Sequence, residues 1–600
     1  MRADATVRRF SWKAKAVLGF LLAGTLATLL LLGTELGLRL AGVGHAPGFW
    51  RIEPDAEGTR WVRDNPWVTI PYFAPDLARR PQAFRLALEK PPGTYRIFVL
   101  GSSAAMGDPE ASFSIARTLD VLLRAAYPKI RFEVVNAGVT AVNSHVVRGI
   151  AQDCAELKPD LFFVYEGNNE VIGPFGPGTV FTAALQSTAA IRASTFLRGL
   201  RIGQLLGHAA RRGAEGPPED WGGMAMFLEQ RVRADDPRLE ITRTLFEANL
   251  RAICETGRAA GARVVLGTVL ANLRDFSPFQ SLHRPGFTPA QEANYAAHLA
   301  AAAEAAGRRD FATAETRLRA ALALDPEYAE GHYQWGRLLL ASGRAGEARG
   351  PLQRALDLDV LRFRTDSRLN ETIRSVATSL GDQGTRMLDL ARLAEEQSPG
   401  GCIGDEFLYE HVHLSFRGTY LVARALFGAV SEDLSARGRI PSAPEPLGMD
   451  EVRERLAFTT YEQGMVVQEM LARLQRPPFT QQTSNPDRVA AYRQRSARVS
   501  QLLSTPGAVD AFAAIYEAAL ASRAPEADWV LHRNYGMAML ALGRVEAGRG
   551  QLERARALIP DDPDTLASLA LAYRALGDEA AADRLITALR AIAPSHPAVR

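Results

Sequence analysis

Three short apolar segments, residues 95–100, 132–135 and 161–165, each run into a polar turn containing glycine, and the stretches between them, 113–127 and 144–157, read as helices. Apolar strands alternating with helices require a parallel sheet covered on both faces. A fourth unit comes later, a helix over 239–260 and a strand over 263–270 that closes on Asn272, Leu273, Arg274 and Asp275. The expected fold class is therefore α/β, a doubly wound parallel sheet. Ligands in such sheets bind beyond the carboxyl ends of the strands, which directs attention to the turns after residues 100, 135 and 165.

A different texture interrupts the sheet. Residues 289–359 are alanine-rich and helical, and Ala314, Leu318 and Ala321 recur 34 positions later at Ala348, Leu352 and Ala355. Near the carboxyl end Gly543 and Pro560 recur at Gly577 and Pro594, again 34 apart, and a degenerate further unit fits 509–525. A 34-residue helix–turn–helix period resembles tetratricopeptide repeats, all-α units whose faces commonly bind a protein partner. Two units rarely bury their own faces, so the inserted pair is expected to lean on the sheet domain.

The amino end fixes the compartment. Arg2, Arg8, Arg9, Lys13 and Lys15 precede an uncharged run over 16–34 that reaches a bilayer's span if extended to Leu40. By the positive-inside rule the basic flank stays cytoplasmic and the rest of the chain is exported. A signal peptide is the rival, and Gly44-His45-Ala46 followed by Pro47 makes a poor cleavage site, so a retained single-pass signal anchor is expected, with the bulk of the chain periplasmic or extracellular. The boundaries that follow are 1–15 for the cytoplasmic tail, 16–40 for the anchor and 41–90 for a proline-rich stalk. The sheet domain takes 91–288 and 361–430, inserted repeats 289–360, a helical linker 431–505 and terminal repeats 506–600.

Composition narrows the partners. Seventy basic residues nearly cancel 67 acidic ones in the 600-residue chain, so no global field argues for nucleic acid. Cys154, Cys254 and Cys402 are too few and too scattered for a disulfide framework or a metal-ligand set.

Chemistry concentrates in four segments: Gly101-Ser102-Ser103 through Gly107, Asn136-Ala137-Gly138, Gly167-Asn168-Asn169-Glu170 and Glu410-His411-Val412-His413. A nucleophilic serine needs a base, a group that orients the base and donors for the oxyanion, and these segments hold a candidate for each role. Their order and wording resemble the SGNH (GDSL-type) esterase and acylhydrolase family, with blocks that read GSSxxxG, a glycine, GNNE and ExxH in this chain, followed by Leu414, Ser415 and Gly418. The resemblance covers about 95–280 and 361–430 and implies a flavodoxin-like three-layer fold. It implies Ser103 as nucleophile, His413 as general base and acid, and Glu410 as the carboxylate that holds the imidazole. The oxyanion hole would be Ser103 N–H, Gly138 N–H and the Asn169 amide. Two positions depart from the family: Ser102 and Glu410 stand where aspartates are usual.

Asn272 and Arg274 end a strand on the same side and are candidates to bind substrate; Arg362, Arg364 and Arg368, where the chain returns from the repeats, could also serve as solvated or paired surface residues. His411 and His413 could pair on a metal, but nothing nearby completes a ligand set at familiar spacing, so neither a metal nor a cofactor is expected. His145 is expected to cap or pack at a helix start, and 456–478 carries no evident chemistry. The expected function is hydrolysis of acyl esters, O-acetyl groups on an envelope polysaccharide above all. Acyl transfer to such a polysaccharide, a catalytically weak scaffold and an envelope lipase are the alternatives.

Overall fold

The computed structural model describes residues 12–55, 58–182, 184–211, 222–524, 526–594 and 596–599. Among them the strands form two sheets. β1 (Trp50–Pro54), β2 (Arg60–Asp64) and β3 (Arg85–Ala87) make a small antiparallel sheet. β4 (Thr94–Gly101), β5 (Arg131–Gly138), β6 (Leu161–Tyr165), β7 (Arg263–Gly267) and β8 (Thr385–Leu388) make a five-stranded parallel sheet in the order β5-β4-β6-β7-β8. β4 and β6 are buried at every position, as strands covered on both faces must be.

The first crossover runs to one side of β4 and the later ones to the other, so right-handed connections place their helices on opposite faces. Helices Ser144–Ala155, Arg238–Ala259 and Ser367–Ser379 pack together on one face. Helix Ile115–Ala126 packs with Phe416–Ala436 on the other. The former begins at Ser114, whose hydroxyl accepts from Arg117 N–H, and buries Ile115, Leu119, Leu122 and Leu123 on one stripe. Helix Phe416–Ala436 is tied down from the sheet side by Tyr95 Oη donating to Asp433 at 2.6 Å and by Tyr127 Oη donating to Ser431 at 2.8 Å.

Register brings the strand ends level. β4 pairs with β5 through Gly101 opposite Gly138, and with β6 through Gly101 opposite Tyr165. Three turns therefore emerge side by side where the direction of crossover reverses, the point at which open α/β sheets form a crevice.

Two expected boundaries are corrected. Residues 41–90 are no stalk: they carry the antiparallel sheet, and Phe49, Phe73 and Phe84 are buried in the main core. Prolines and exposed-looking tryptophans suggested extension, whereas Phe49 N–H and Trp50 Nε1 both bond Asp153, from the helix over 144–155. Likewise 431–505 is no linker, because Phe458, Phe479, Val489 and Tyr492 join the same core.

The inserted segment forms four helices, Pro289–Gly307, Phe311–Leu324, Ala329–Ala341 and Ala345–Leu358. Every residue of the 34-spaced set is buried, from Ala314 to Ala355. The carboxyl array repeats the arrangement in Trp529–Ala541 with Val545–Leu558 and Pro563–Ala575 with Glu579–Ile592. Gly543 and Gly577 turn the chain at φ +81° and +83° between the helices of each pair. The unit expected over 509–525 corresponds to helix Ala508–Arg523, while Pro525 lies outside the described residues. Both regions are helical repeats.

Close helix approach makes one stability prediction. A Cβ on Gly336 would stand 2.4 Å from Leu352 Cγ. Gly336→Val should destabilise the inserted repeats by about 1–3 kcal/mol, as overpacking does; limited proteolysis should show faster cleavage within 308–358 and an unchanged carboxyl array.

The helix Trp12–Leu40 includes a stretch, Ala16–Leu40, of mean hydropathy 2.2 and with none of it buried in the protein. It is long and apolar enough to cross a membrane. Arg2, Arg8 and Arg9 of the expected basic flank lie outside the described residues.

Candidate active site

Gly101 has φ +155°, and a Cβ there would fall 2.1 Å from Tyr165 O, so only glycine lets β4 close against β6 as it turns. Ser102 then caps a single helical turn, Ser103–Met106, with Ser102 buried and Ser103 half-buried. Ser103, as the first helical residue, has no carboxyl-side partner four residues back for its N–H. Gly138 is equally constrained, since a Cβ would press within 2.6 Å of Met106 N.

The histidine arrives on a tight loop from the far end of the domain. Leu408 bridges Leu414, and Tyr409 N–H donates to His413 O at 2.8 Å, which turns Glu410 and His413 back toward the sheet. His413 Nε2 stands 2.8 Å from Ser103 Oγ. Its Nδ1 meets Glu410 Oε1. A carboxylate only accepts, so Nδ1 carries the proton and Nε2 is left to accept from the serine hydroxyl. Glu410 is almost fully buried and also accepts from His411 N–H at 2.5 Å and His413 N–H at 3.0 Å.

His411 faces the second Glu410 oxygen and is enclosed by Phe276, Phe279, Phe363 and Phe479. Burial drives its pKa far below the ordinary histidine value, which keeps it neutral. Glu410, His411 and His413 lie close enough to share an ion. Both carboxylate oxygens are nevertheless engaged by N–H groups, and the histidines are held by hydrogen bonds and rings.

The other expected site residues divide. Gly138 N–H donates to Asn136 Oδ1 at 3.1 Å, and Asn169 donates one amide hydrogen to Val142 O at 2.8 Å, leaving its second free to point elsewhere. Asn272 is fully buried and spends its amide on Asp405 and on Glu410 O, so it props the histidine loop from beneath. Arg274 pairs with Asp275 and Glu406. Arg362 and Arg364 are buried and bonded to Asp366 and Asp359 respectively, and Arg368 is exposed. His145, buried at the start of its helix, meets Asn249 at 2.9 Å.

Several residues here escaped sequence reading. Asp108 Oδ2 lies 3.3 Å from His413 Nε2, on the same nitrogen that faces Ser103. Arg473 grips Asp108 with two guanidinium nitrogens, one at 2.9 Å. It comes from helix Thr460–Leu474, within the segment expected to carry no chemistry. Arg488 and Tyr492 both donate to Tyr409 O at 2.7 Å, bracing the histidine loop from helix Asn485–Leu503. Glu166, at the end of β6, accepts from Gly167 N–H at 3.0 Å and neighbours Ser102. Burial, then Glu170, raises Glu166 far above the carboxylate range; burial lifts Glu170 to about 7 against its bonds from Ser144. Glu166 is thus held neutral beside the position where Ser102 replaces a more usual acid. A charged residue closing an otherwise apolar strand was the available signal for it.

Burial lowers His413 to about 4; Asp108 pulls it upward and Arg473 downward. Burial alone would raise Asp108, but His413 and Arg473 outweigh it and hold Asp108 below its ordinary value. If neutral His413 is the working form, activity persists as pH falls until the imidazole protonates. The acid limb of kcat/KM should then lie near pH 4–5 rather than near the ordinary histidine value of about 6.5. Arg473→Gln should move that limb to higher pH and Asp108→Asn to lower pH, because they remove charges of opposite sign from the same nitrogen. Shifts of the same sign in both variants would break the assignment.

No protein-family model matches the sequence, and no curated protein matches it. Among solved structures, one similar chain is the TPR domain of P58(IPK), at 12% identity over 51% of this chain and 95% of that one, with a TM-score of 0.15. Another is BtubC (BKLC) from P. vanneervenii, at 15% identity over 52% and 95% of the two chains, with a TM-score of 0.13.

Proposed function

We propose that the chain is a membrane-anchored, exported serine esterase of SGNH type, acting on acyl esters with Ser103 as nucleophile, and that its helical repeats are tetratricopeptide units that engage a protein partner. The observation that carries the reading is the hydrogen-bonded line from Ser103 Oγ through His413 to Glu410, drawn from segments 310 residues apart. Its location at the crevice of a parallel sheet of order β5-β4-β6-β7-β8 supports it.

In this reading His413 Nε2 takes the Ser103 proton as Oγ attacks the ester carbonyl, and the Glu410 carboxylate stabilises the imidazolium that forms. Ser103 N–H, Gly138 N–H and the second Asn169 amide hydrogen face the developing oxyanion. To do so Gly138 N–H shares or leaves its bond to Asn136 Oδ1. The imidazolium then protonates the leaving alcohol. Water activated by the same nitrogen releases the acid, and an O-acetylated envelope polysaccharide is the proposed natural substrate.

The test is covalent capture. The full chain in detergent should hydrolyse a small activated acetyl ester and take up one fluorophosphonate equivalent, with the adduct on the peptide containing Ser103. An adduct on Ser102, or none together with no hydrolysis, would falsify the nucleophile assignment.

A further inference from the structure

Two consecutive helices, Thr188–Gly199 and Arg201–Arg211, leave the sheet domain after β6. Of the first, only Ile191 is buried. The second lies against the carboxyl end of the apolar helix. Glu35 there accepts from Ile202 N–H at 3.1 Å and from Arg39 Nε at 2.8 Å. Gln204 bonds His45 in both directions, at 2.9 and 2.8 Å.

Around these polar clasps the hairpin exposes large apolar groups: Phe196 at 68%, Leu197 at 57%, Leu205 at 47% and Leu206 at 63%. Their location gives them a partner. About 20 helical residues cross the hydrocarbon of a bilayer, so a span beginning at Ala16 leaves it near Glu35. The clasps at Glu35, Arg39 and His45 hold the hairpin at that level, and the chain enters the core only four residues later, where Phe49 bonds Asp153 at 2.7 Å. Arg39 and Arg201 stand close together beside it, suited to lipid phosphates.

We propose that the hairpin over 188–211 is a second, monotopic membrane contact. Phe196, Leu197, Leu205 and Leu206 enter the headgroup–acyl boundary of the bilayer that the apolar helix crosses. The exported domain is then seated on the membrane in one orientation rather than suspended on a tether. This rests on reading Ala16–Leu40 as a spanning anchor, continuous with the hairpin through the Glu35 clasp.

Single nitroxide labels test it in the full chain reconstituted into phospholipid nanodiscs, the three native cysteines being buried. Leu206→Cys reports the hairpin, Leu26→Cys the span and Leu576→Cys an exposed site on the carboxyl array. Collision with oxygen is compared with collision with a water-soluble nickel chelate. The proposal expects the label at 206 to favour oxygen several-fold over the label at 576, approaching the label at 26. A label at 206 that matches 576 while 26 reports lipid overturns the proposal and leaves the anchor standing. Shielding of 206 from both reagents also overturns it, because a protein surface then covers the patch. A label at 26 that reports water removes the anchor and the proposal together.

Discussion

Ser103→Ala should lower kcat for ester hydrolysis by roughly 10,000-fold or more, whereas Ser102→Ala should keep activity within about a hundredfold of the parent. The two hydroxyls are adjacent in sequence, yet only Ser103 Oγ meets His413 Nε2, at 2.8 Å. Ser102 is buried and caps the turn beside Glu166. Its loss disturbs how the turn is held, not the proton path. Removing Oγ from Ser103 ends covalent catalysis, and the remaining rate reflects whatever oxyanion stabilisation persists. Because Ser103→Ala deletes one half-buried atom, circular dichroism and detergent solubility should match the parent. The kinetic measurement is initial rates with a small acetyl ester, paired with fluorophosphonate uptake. Parent-like turnover in Ser103→Ala, or its loss only in Ser102→Ala, defeats the assignment.

The parallel sheet was legible because strands covered on both faces are apolar without alternation, as in residues 95–100 and 161–165. β8 was not, because Thr385–Leu388 is four residues long and leaves Arg386 and Met387 partly exposed. The repeats were legible through their spacing, since burial of Ala314 and Ala348 at equivalent points demands equivalent small residues. The antiparallel sheet was missed because its burial depends on partners distant in sequence, such as Asp153 for Phe49. The site divides in the same way. Its four segments each carry a local wording, so their residues could be named before any geometry existed. Arg473 pairs with Glu469 one turn earlier and so looks in sequence like an ordinary helix-surface ion pair, while its contact with Asp108 crosses 365 residues. Nothing local encodes that contact; it follows from seating the helix Thr460–Leu474 against the sheet domain.

Glu410→Gln should cost about 10,000-fold in kcat while changing KM little, as expected when the group that fixes a catalytic imidazole's tautomer is neutralised. The effect follows from counting donors. One Glu410 oxygen receives His413 N–H and Nδ1, and the other faces His411 N–H and Nδ1. An amide has only one accepting end. With its NH₂ toward His413, it donates to Nδ1, drives the proton to Nε2 and leaves no acceptor for the Ser103 hydroxyl. With its NH₂ toward His411, it confronts backbone and ring N–H groups inside a phenylalanine cage, where an unmatched donor costs about 1–3 kcal/mol. The network therefore settles between a wrong tautomer and a strained loop, and either outcome slows proton transfer. Glu410→Asp keeps two accepting oxygens on a shorter arm, so it should fold normally and recover part of the loss, to within about a hundredfold of the parent. The comparison separates charge from packing: equal activity in Glu410→Gln and the parent would mean that the carboxylate does not orient His413, and equal collapse in both variants would point to loss of the loop itself.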